Sequence, residues 1–207
     1  MPFKDRLIAF LKTRKGKFSV VMLLLLIWYA FALPSRLFQD PCSTVLEDAE
    51  GTLLGARIAT DGQWRFPAST RVPDKFAKAL ICYEDKHFYR HPGFNPVSLW
   101  RALRQDIKRK KIVSGGSTLS MQVIRLSRKG KARNVYQKMV ELILATRLEL
   151  RYSKKEILAL YASHAPFGSN VVGLDAASWR YFGRSPDKLS WAEAATLAIL
   201  PNAPSLI

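Results

Sequence analysis

The sequence has few cysteines, few acidic residues and no internal repeats or low-complexity segments. Its two cysteines, Cys42 and Cys82, allow at most one disulfide within the chain, and nothing in the sequence shows that they pair. Cys82 lies in an apolar helical stretch, which predicts a buried free thiol. No phosphate-binding P-loop pattern is present, so nucleotide binding is not indicated.

The shortage of acidic residues leaves a strongly basic chain. Only 16 aspartates and glutamates oppose 33 lysines and arginines, which gives a formal charge of +17 over 207 residues. Such a charge attracts nucleic acid, an anionic lipid surface or a phosphate-bearing substrate, and composition does not choose among them. With 48% hydrophobic residues, the chain has the composition of a folded protein with room for one domain and an anchor.

One uncharged apolar segment, residues 18–33, follows a basic N-terminus, residues 1–17. The segment is slightly shorter than the roughly 20 residues that span a bilayer core, but Trp28 and Tyr29 suit the interface. The preceding lysines and arginines predict an anchor whose N-terminus stays in the cytoplasm while the rest is exported. A cleaved signal peptide is the alternative, since residues 30–32 have a small-x-small form. Export argues against a nucleic-acid partner.

The exported part divides into two regions. Residues 34–70 predict a linker and a small β segment, because the alternating pattern of residues 43–66 is interrupted by Glu50-Gly51 and Asp61-Gly62. Residues 71–207 predict a mainly helical domain.

Helix boundaries in this domain are indicated by capping residues. The predicted starts lie at or next to Pro73, Asn95, Ser117, Asn134, Ser153 and Ser190, and Gly183 ends a helix. After Asn134, one apolar helix face is predicted from Val135, Met139, Leu142, Ile143 and Leu150.

Two adjacent carboxylates, Glu84 and Asp85, lie at a predicted helix end among aromatic residues and two histidines. Aromatic surroundings raise the pKa of a carboxylate, which favours general acid or base catalysis. A solvated acid at a helix end is the other interpretation.

The loop of residues 115–118, Gly-Gly-Ser-Thr, can expose backbone amides to an anion at a helix N-terminus. Basic residues follow with no acid among them: Arg125, Arg128, Lys129, Lys131 and Arg133. Further on, Lys138 and Glu141 share one helix face. They form either a surface ion pair or part of a cleft.

These segments resemble, in order and spacing, the motifs of the glycosyltransferase family 51 module. Its first motif is matched by Glu84, Asp85, Phe88, His91 and Gly93. Its second is matched by Gly115, Gly116, Ser117, Thr118 and Gln122. Its third is matched by Lys138 and Glu141, with Gln137 in place of arginine, and its fourth by Lys154, Ile157, Leu158 and Tyr161, with Ala162 and Ser163 in place of Leu-Asn. The segments DGQWRFP and HPGFNPVSLWRA most resemble the penicillin-binding protein 1C branch.

The resemblance implies a mainly α, lysozyme-like fold with a small β segment and an N-terminal transmembrane helix. It implies a peptidoglycan glycosyltransferase that polymerises lipid II, with inversion, and releases undecaprenyl pyrophosphate in cell-wall biosynthesis. The protein would be a single-pass type II protein of the cell inner membrane with an extracytoplasmic catalytic domain. Phe94, Val97 and Trp100 would belong to a membrane-dipping surface, although core packing is the alternative for Trp100.

The resemblance also implies roles for individual residues. Glu84 would be the general base, and Glu141 a second catalytic carboxylate and a candidate ligand for a divalent cation (Mg²⁺ or Mn²⁺). No cofactor would be required. The implied substrate-binding residues are Asp85, His91, Ser117, Thr118, Gln122, Arg125, Arg133 and Lys138. The implied partners are lipid II, the growing glycan chain, inner-membrane lipids and other cell-wall synthesis proteins, with no nucleic acid.

Other functions remain to be separated from this one. The chain ends where members of the family continue, so a truncated, catalytically inactive membrane-bound scaffold is one alternative. A lysozyme-like muramidase is another, although the Gly-Gly-Ser-Thr loop and the basic cluster argue against it. No transpeptidase is indicated, because Ser185 and Lys188 fit S-x-x-K without a K-T-G or S-D-N partner.

Overall fold

The structure is a computed structural model that describes residues 13–109, 116–129 and 134–202. The chain divides into two compact units, residues 1–37 and 38–207. The first contains helix α1, Arg14–Phe31, which begins after the N-cap Thr13, whose hydroxyl accepts the Gly16 N–H at 3.0 Å. The large apolar side chains along α1 are mostly exposed. No helix within the described residues is both long enough and apolar enough to cross a membrane.

Within the described residues, the second unit is mainly helical, as the sequence predicts, and it contains four short strands. Its strands and α-helices are β1 (Thr44–Glu47), β2 (Leu53–Arg57), β3 (Trp64–Arg65), α2 (Asp74–Glu84), α3 (Pro96–Arg109), α4 (Leu119–Ser127), α5 (Val135–Arg151), α6 (Lys154–His164), β4 (Val171–Val172), α7 (Leu174–Phe182) and α8 (Trp191–Ile199). Short 3₁₀ helices lie at Phe88–Arg90, Pro186–Lys188 and Leu200–Asn202.

The predicted β segment is confirmed, with one pairing that the sequence does not indicate. Strands β1 and β2 form an antiparallel hairpin in which Thr44 is opposite Arg57. Strand β3 instead pairs in parallel with the distant β4, placing Trp64 opposite Val171. A strand of two residues carries no alternating pattern, so this pairing follows from the packing around it.

Most predicted helix boundaries are confirmed. Asn95 and Asn134 accept backbone N–H groups at the starts of α3 and α5. Capping boxes open α6 and α8, and Gly183 ends α7 in the left-handed region at φ +62°. The start of α4 differs, because Thr118 and not Ser117 is its N-cap. The Ser117 hydroxyl accepts a hydrogen bond from Arg125 instead.

The core lies where α2 packs against α8 and where α4 packs against α5 and α6. Phe76 and Leu80 of α2 and Leu197 of α8 are fully buried. Each such side chain contributes about 1.5–3 kcal/mol to the stability of the folded state. Leu119 and Leu148 are equally buried where α4 meets α5.

The prediction of which face of α5 is apolar and buried is wrong. Val135, Met139 and Leu150 are 71%, 52% and 73% exposed. The buried residues of α5 are Glu141, Leu144, Ala145 and Leu148. The buried face therefore includes a carboxylate, which an apolar pattern could not assign to it.

The cysteine prediction is partly wrong. Cys42 and Cys82 are both free, but Cys82 is exposed and not buried. The buried positions of its helix are Phe76 and Leu80, so Cys82 lies on the opposite, solvent-facing side.

Candidate active site

Glu84 is the last residue of α2, and each of its carboxylate oxygens accepts a hydrogen bond. The side-chain amide of Gln122 in α4 donates a hydrogen bond to Oε2 at 2.8 Å. The amide of Asn202, after α8, donates to Oε1. Burial raises the pKa of Glu84, against the opposing effect of these two hydrogen bonds. A half-buried carboxylate in a fixed orientation with a raised pKa is suited to accept a proton.

Asp85 and His91 form a buried pair directly behind Glu84. The His91 Nε2 lies 2.9 Å from the nearer Asp85 oxygen, Oδ2, and the backbone N–H of Leu119 donates to that oxygen at 3.1 Å. Both residues are only 7% exposed. Asp85 therefore connects the end of α2 to the first turn of α4 and fixes the distance between Glu84 and Gln122. Both residues also line the cavity that opens beside Glu84, so their role in substrate binding stays a prediction.

Gly93 and Thr118 bring the first two motifs together. The Thr118 hydroxyl donates a hydrogen bond to the Gly93 carbonyl at 2.6 Å. Gly93 has φ +94°, and a Cβ there would lie 2.6 Å from the carbonyl oxygen of Ala145 in α5. Only glycine fits this approach, because any side chain would meet the helix backbone.

Replacement of Gly93 with alanine is expected to lower the free energy of unfolding by about 3 kcal/mol or more. Gly62→Ala is the matched control, because Gly62 has a similar φ of +74° but open space around its Cβ position. Backbone strain alone should cost about 1 kcal/mol there. Urea unfolding of both variants measures the difference, and equal losses would show that the contact with Ala145 is unimportant.

Arg125 and Glu141 form a forked ion pair between α4 and α5. Arg125 Nε lies 3.1 Å from Oε1 and Nη2 lies 2.9 Å from Oε2, and Nη2 also donates to the Ser117 hydroxyl at 3.1 Å. Glu141 is therefore paired with Arg125, whereas the half-exposed Lys138 lies one turn earlier on α5. Arg133 lies outside the described residues.

This pairing does not fit the suggested divalent cation at Glu141. Both carboxylate oxygens face a guanidinium, whose charge repels a cation. The described residues also contain no group of three or more His, Cys, Asp and Glu side chains that could hold a metal ion.

A cavity of about 530 Å³ opens beside Glu84. The loop of residues 116–118 and the start of α3, including Val97, form part of its lining. The lining also includes four basic residues that the sequence pattern did not indicate as site residues: Lys86, His87, Arg90 and Arg101. Three of them occupy the variable positions of the first motif, and Arg101 lies one helical turn after Val97. Only their nearness to Glu84 in the sequence could have indicated that they belong to the site. The cavity combines a carboxylate with an excess of positive charge.

Two residues of the fourth motif also belong to the site. The Lys154 ammonium donates to the His91 carbonyl and to Glu149, each at 2.7 Å, and thereby supports the segment that follows Glu84. Tyr161 is 1% exposed, and its hydroxyl has no hydrogen-bond partner among the described residues. Burial raises the pKa of Tyr161, with a further contribution from the nearby charge of Glu84.

Comparison with known proteins places this site in a family. A family model described as Transglycosylase matches residues 51–207. Penicillin-binding protein 1C of Escherichia coli (strain K12) is 44% identical over 192 residues, which cover 89% of this chain and 24% of that protein. Penicillin-binding protein 1A of Aquifex aeolicus (strain VF5) is 36% identical over 167 residues, 80% of this chain and 22% of that protein.

The chain spans about a quarter of the length of these two relatives. The resemblance that the motifs indicated, including the one to the penicillin-binding protein 1C branch, is confirmed. Because the family model covers residues 51–207, the greater part of the chain, the chain belongs to the transglycosylase family.

Proposed function

We propose that this chain is a peptidoglycan glycosyltransferase that polymerises lipid II into glycan strands and releases undecaprenyl pyrophosphate. The observation that carries the proposal is Glu84, a half-buried carboxylate with a raised pKa, held at both oxygens beside a basic cavity. A proton acceptor next to positive charge suits the attack of a hydroxyl on a donor whose leaving group is a pyrophosphate.

Glu84 acts as the general base in this reaction. It takes the proton from the 4-hydroxyl of the acceptor sugar while that oxygen forms a bond to the anomeric carbon of the donor. The bond from that carbon to the pyrophosphate oxygen breaks, and the configuration inverts. A positioned base contributes typically about 10²–10⁴-fold to such a rate.

Stabilisation of the departing pyrophosphate is the second requirement. Arg125 presents a planar guanidinium that Glu141 and Ser117 hold in one orientation. A group fixed in advance stabilises developing negative charge without reorganising during the reaction. Lys138 and Arg133 are proposed to contribute further charge, and Ser117, Thr118 and Gln122 to shape the site. The reaction as proposed requires no cofactor.

We also propose that residues 18–33 anchor the protein in the inner membrane as a single-pass type II protein with an extracytoplasmic catalytic unit. The basic residues 1–17 and the exposed apolar side chains of α1 support this topology.

Trp100 is 69% exposed and Val97 66%, which excludes core packing for Trp100 and supports contact with lipid by α3.

The topology can be tested by fusing a reporter that functions only after export behind Ile207. The fusion is expected to be active and to sediment with membranes, because the positive charge before residue 18 keeps the N-terminus inside. A soluble mature form that begins near Leu33 would instead show that the segment is a cleaved signal peptide.

The proposed reaction is tested with labelled lipid II and the purified full chain in detergent. Longer glycan strands should accumulate with time as lipid II is consumed. Shortening of preformed strands would indicate a muramidase. Unchanged lipid II under conditions in which a relative polymerises it would indicate an inactive scaffold.

A further inference from the structure

Asn202 contacts Glu84 from a part of the chain that lies outside the four motifs. Oε2 of Glu84 accepts from Gln122 in α4, and Oε1 accepts from Asn202 in the 3₁₀ helix Leu200–Asn202. Both donors are neutral amides, so they fix the carboxylate without forming an ion pair. Together they occupy one lone pair on each oxygen, which leaves the others for a substrate.

The position of Asn202 is set by the core. Helix α8 packs along α2, and the fully buried Leu197 of α8 lies in the same core as Phe76 of α2. Leu200, the first residue of the 3₁₀ helix, is 3% exposed and holds that turn against the domain. The side chain of Asn202 is itself exposed, so its amide contributes little to the core, and among the described residues it donates a hydrogen bond to Glu84.

A general base must point a lone pair at the hydroxyl that it deprotonates. The last torsion of a glutamate side chain is broad and roughly two-fold, so a carboxylate with a single donor samples several orientations. A donor on each oxygen removes this freedom. We propose that Asn202 is a positioning residue that holds the Glu84 carboxylate in the orientation in which it accepts the proton. The proposal rests on the proposed role of Glu84 as the base.

The contact also affects the ionisation of Glu84. Burial, the largest effect, raises the pKa of Glu84, and the neighbouring Asp85 adds to it, whereas the hydrogen bonds from Gln122 and Asn202 and the charge of Arg125 lower it. The other groups facing this region are the Tyr161 hydroxyl and the basic residues of the cavity wall, Lys86, His87, Arg90 and Arg101. Removal of the Asn202 amide should therefore move the titration of Glu84 to higher pH.

The first test follows the Glu84 carboxyl carbon by NMR during a pH titration of the full chain, with Glu84→Gln used to assign the signal. Asn202→Ala should raise the midpoint of the titration. Asn202→Asp should raise it further, because it also adds a negative charge. Thr196→Ala is the control, since Thr196 is an exposed residue of α8 whose hydroxyl donates to the carbonyl of Ala192 in its own helix. It should leave the midpoint unchanged.

The second test compares lipid II polymerisation by the same variants. Loss of one orienting hydrogen bond should lower kcat about tenfold in Asn202→Ala, leave KM within about twofold, and move the acid side of the pH profile to higher pH. A residue with only a structural role would lower the melting temperature and leave the pH profile in place.

The outcomes separate this inference from the proposed function. An unchanged Glu84 midpoint in both Asn202 variants would overturn the positioning role, whether or not the chain polymerises lipid II. A midpoint that shifts in the Asn202 variants, together with a wild-type chain that does not polymerise lipid II, would support the contact and overturn the proposed function. A shifted midpoint with unchanged kcat would limit Asn202 to an electrostatic effect and contradict positioning.

Discussion

Glu84→Gln is expected to lower lipid II polymerisation by at least about 100-fold while leaving the fold intact. Glutamine has nearly the same shape as glutamate but cannot take the acceptor proton. Single-turnover measurements with saturating lipid II would locate the loss in the chemical step. Near wild-type rates in this variant would remove Glu84 from its role as the base.

The stability of the same variant, measured relative to the wild-type chain, should be higher at neutral pH than at acidic pH. Burial raises the pKa of Glu84, so the folded state binds its proton more tightly than the unfolded chain does. The stability associated with the protonated form is therefore lost as the pH rises through the folded-state pKa. Urea unfolding measures the free energy of unfolding of Glu84→Gln relative to the wild type. This difference should favour the variant more at pH 7.5 than at a pH below the ordinary glutamate pKa. The wild-type activity should decline over the same interval as the pH falls, because the base becomes protonated.

Arg125→Ala is expected to lower polymerisation by about 10²-fold, as removal of a fixed donor to a developing anion does in other enzymes. Binding of a phosphoglycolipid inhibitor such as moenomycin should weaken as well. Arg125→Lys keeps the positive charge but lacks the paired donors of the guanidinium, so a loss of polymerisation smaller than that of Arg125→Ala is expected. Lys155→Gln removes an equal charge from an exposed position on α6 and should change polymerisation little.

Two controls separate the effect of the Arg125 charge at the candidate site from general attraction to membranes. Arg125→Ala leaves the buried Glu141 without its ion-pair partner and should lower stability, whereas adding Glu141→Gln should restore stability without restoring activity. Added salt should reduce the effect of Lys155→Gln on vesicle binding, because exposed charges are screened. It should change the effect of Arg125→Ala on polymerisation less. Equal losses from Arg125→Ala and Lys155→Gln, both abolished by salt, would mean that the basic residues only bind the membrane surface.

The candidate site was predictable from sequence only in part. The motif positions identified Glu84 and Gln122, which the structure joins by a hydrogen bond. They also identified Glu141 but suggested Lys138 as its neighbour, since residues three apart share a helix face. The structure pairs Glu141 with Arg125 from another helix, because α4 packs on the buried face of α5. Nothing in the sequence indicated that Asn202 contacts Glu84, since the contact joins residues 118 positions apart.

The sequence by itself determined the family and most helix boundaries. A capping box such as Ser153 with Glu156 is satisfied within one turn, so its physical cause lies within four consecutive residues. Tertiary structure decided which face of α5 is buried, that β3 pairs with β4, and that Thr118 caps α4 while Ser117 contacts Arg125. Each of these depends on which surfaces, distant in sequence, pack against one another and become buried. The buried face of α5 includes Glu141 because Arg125 neutralises its charge there.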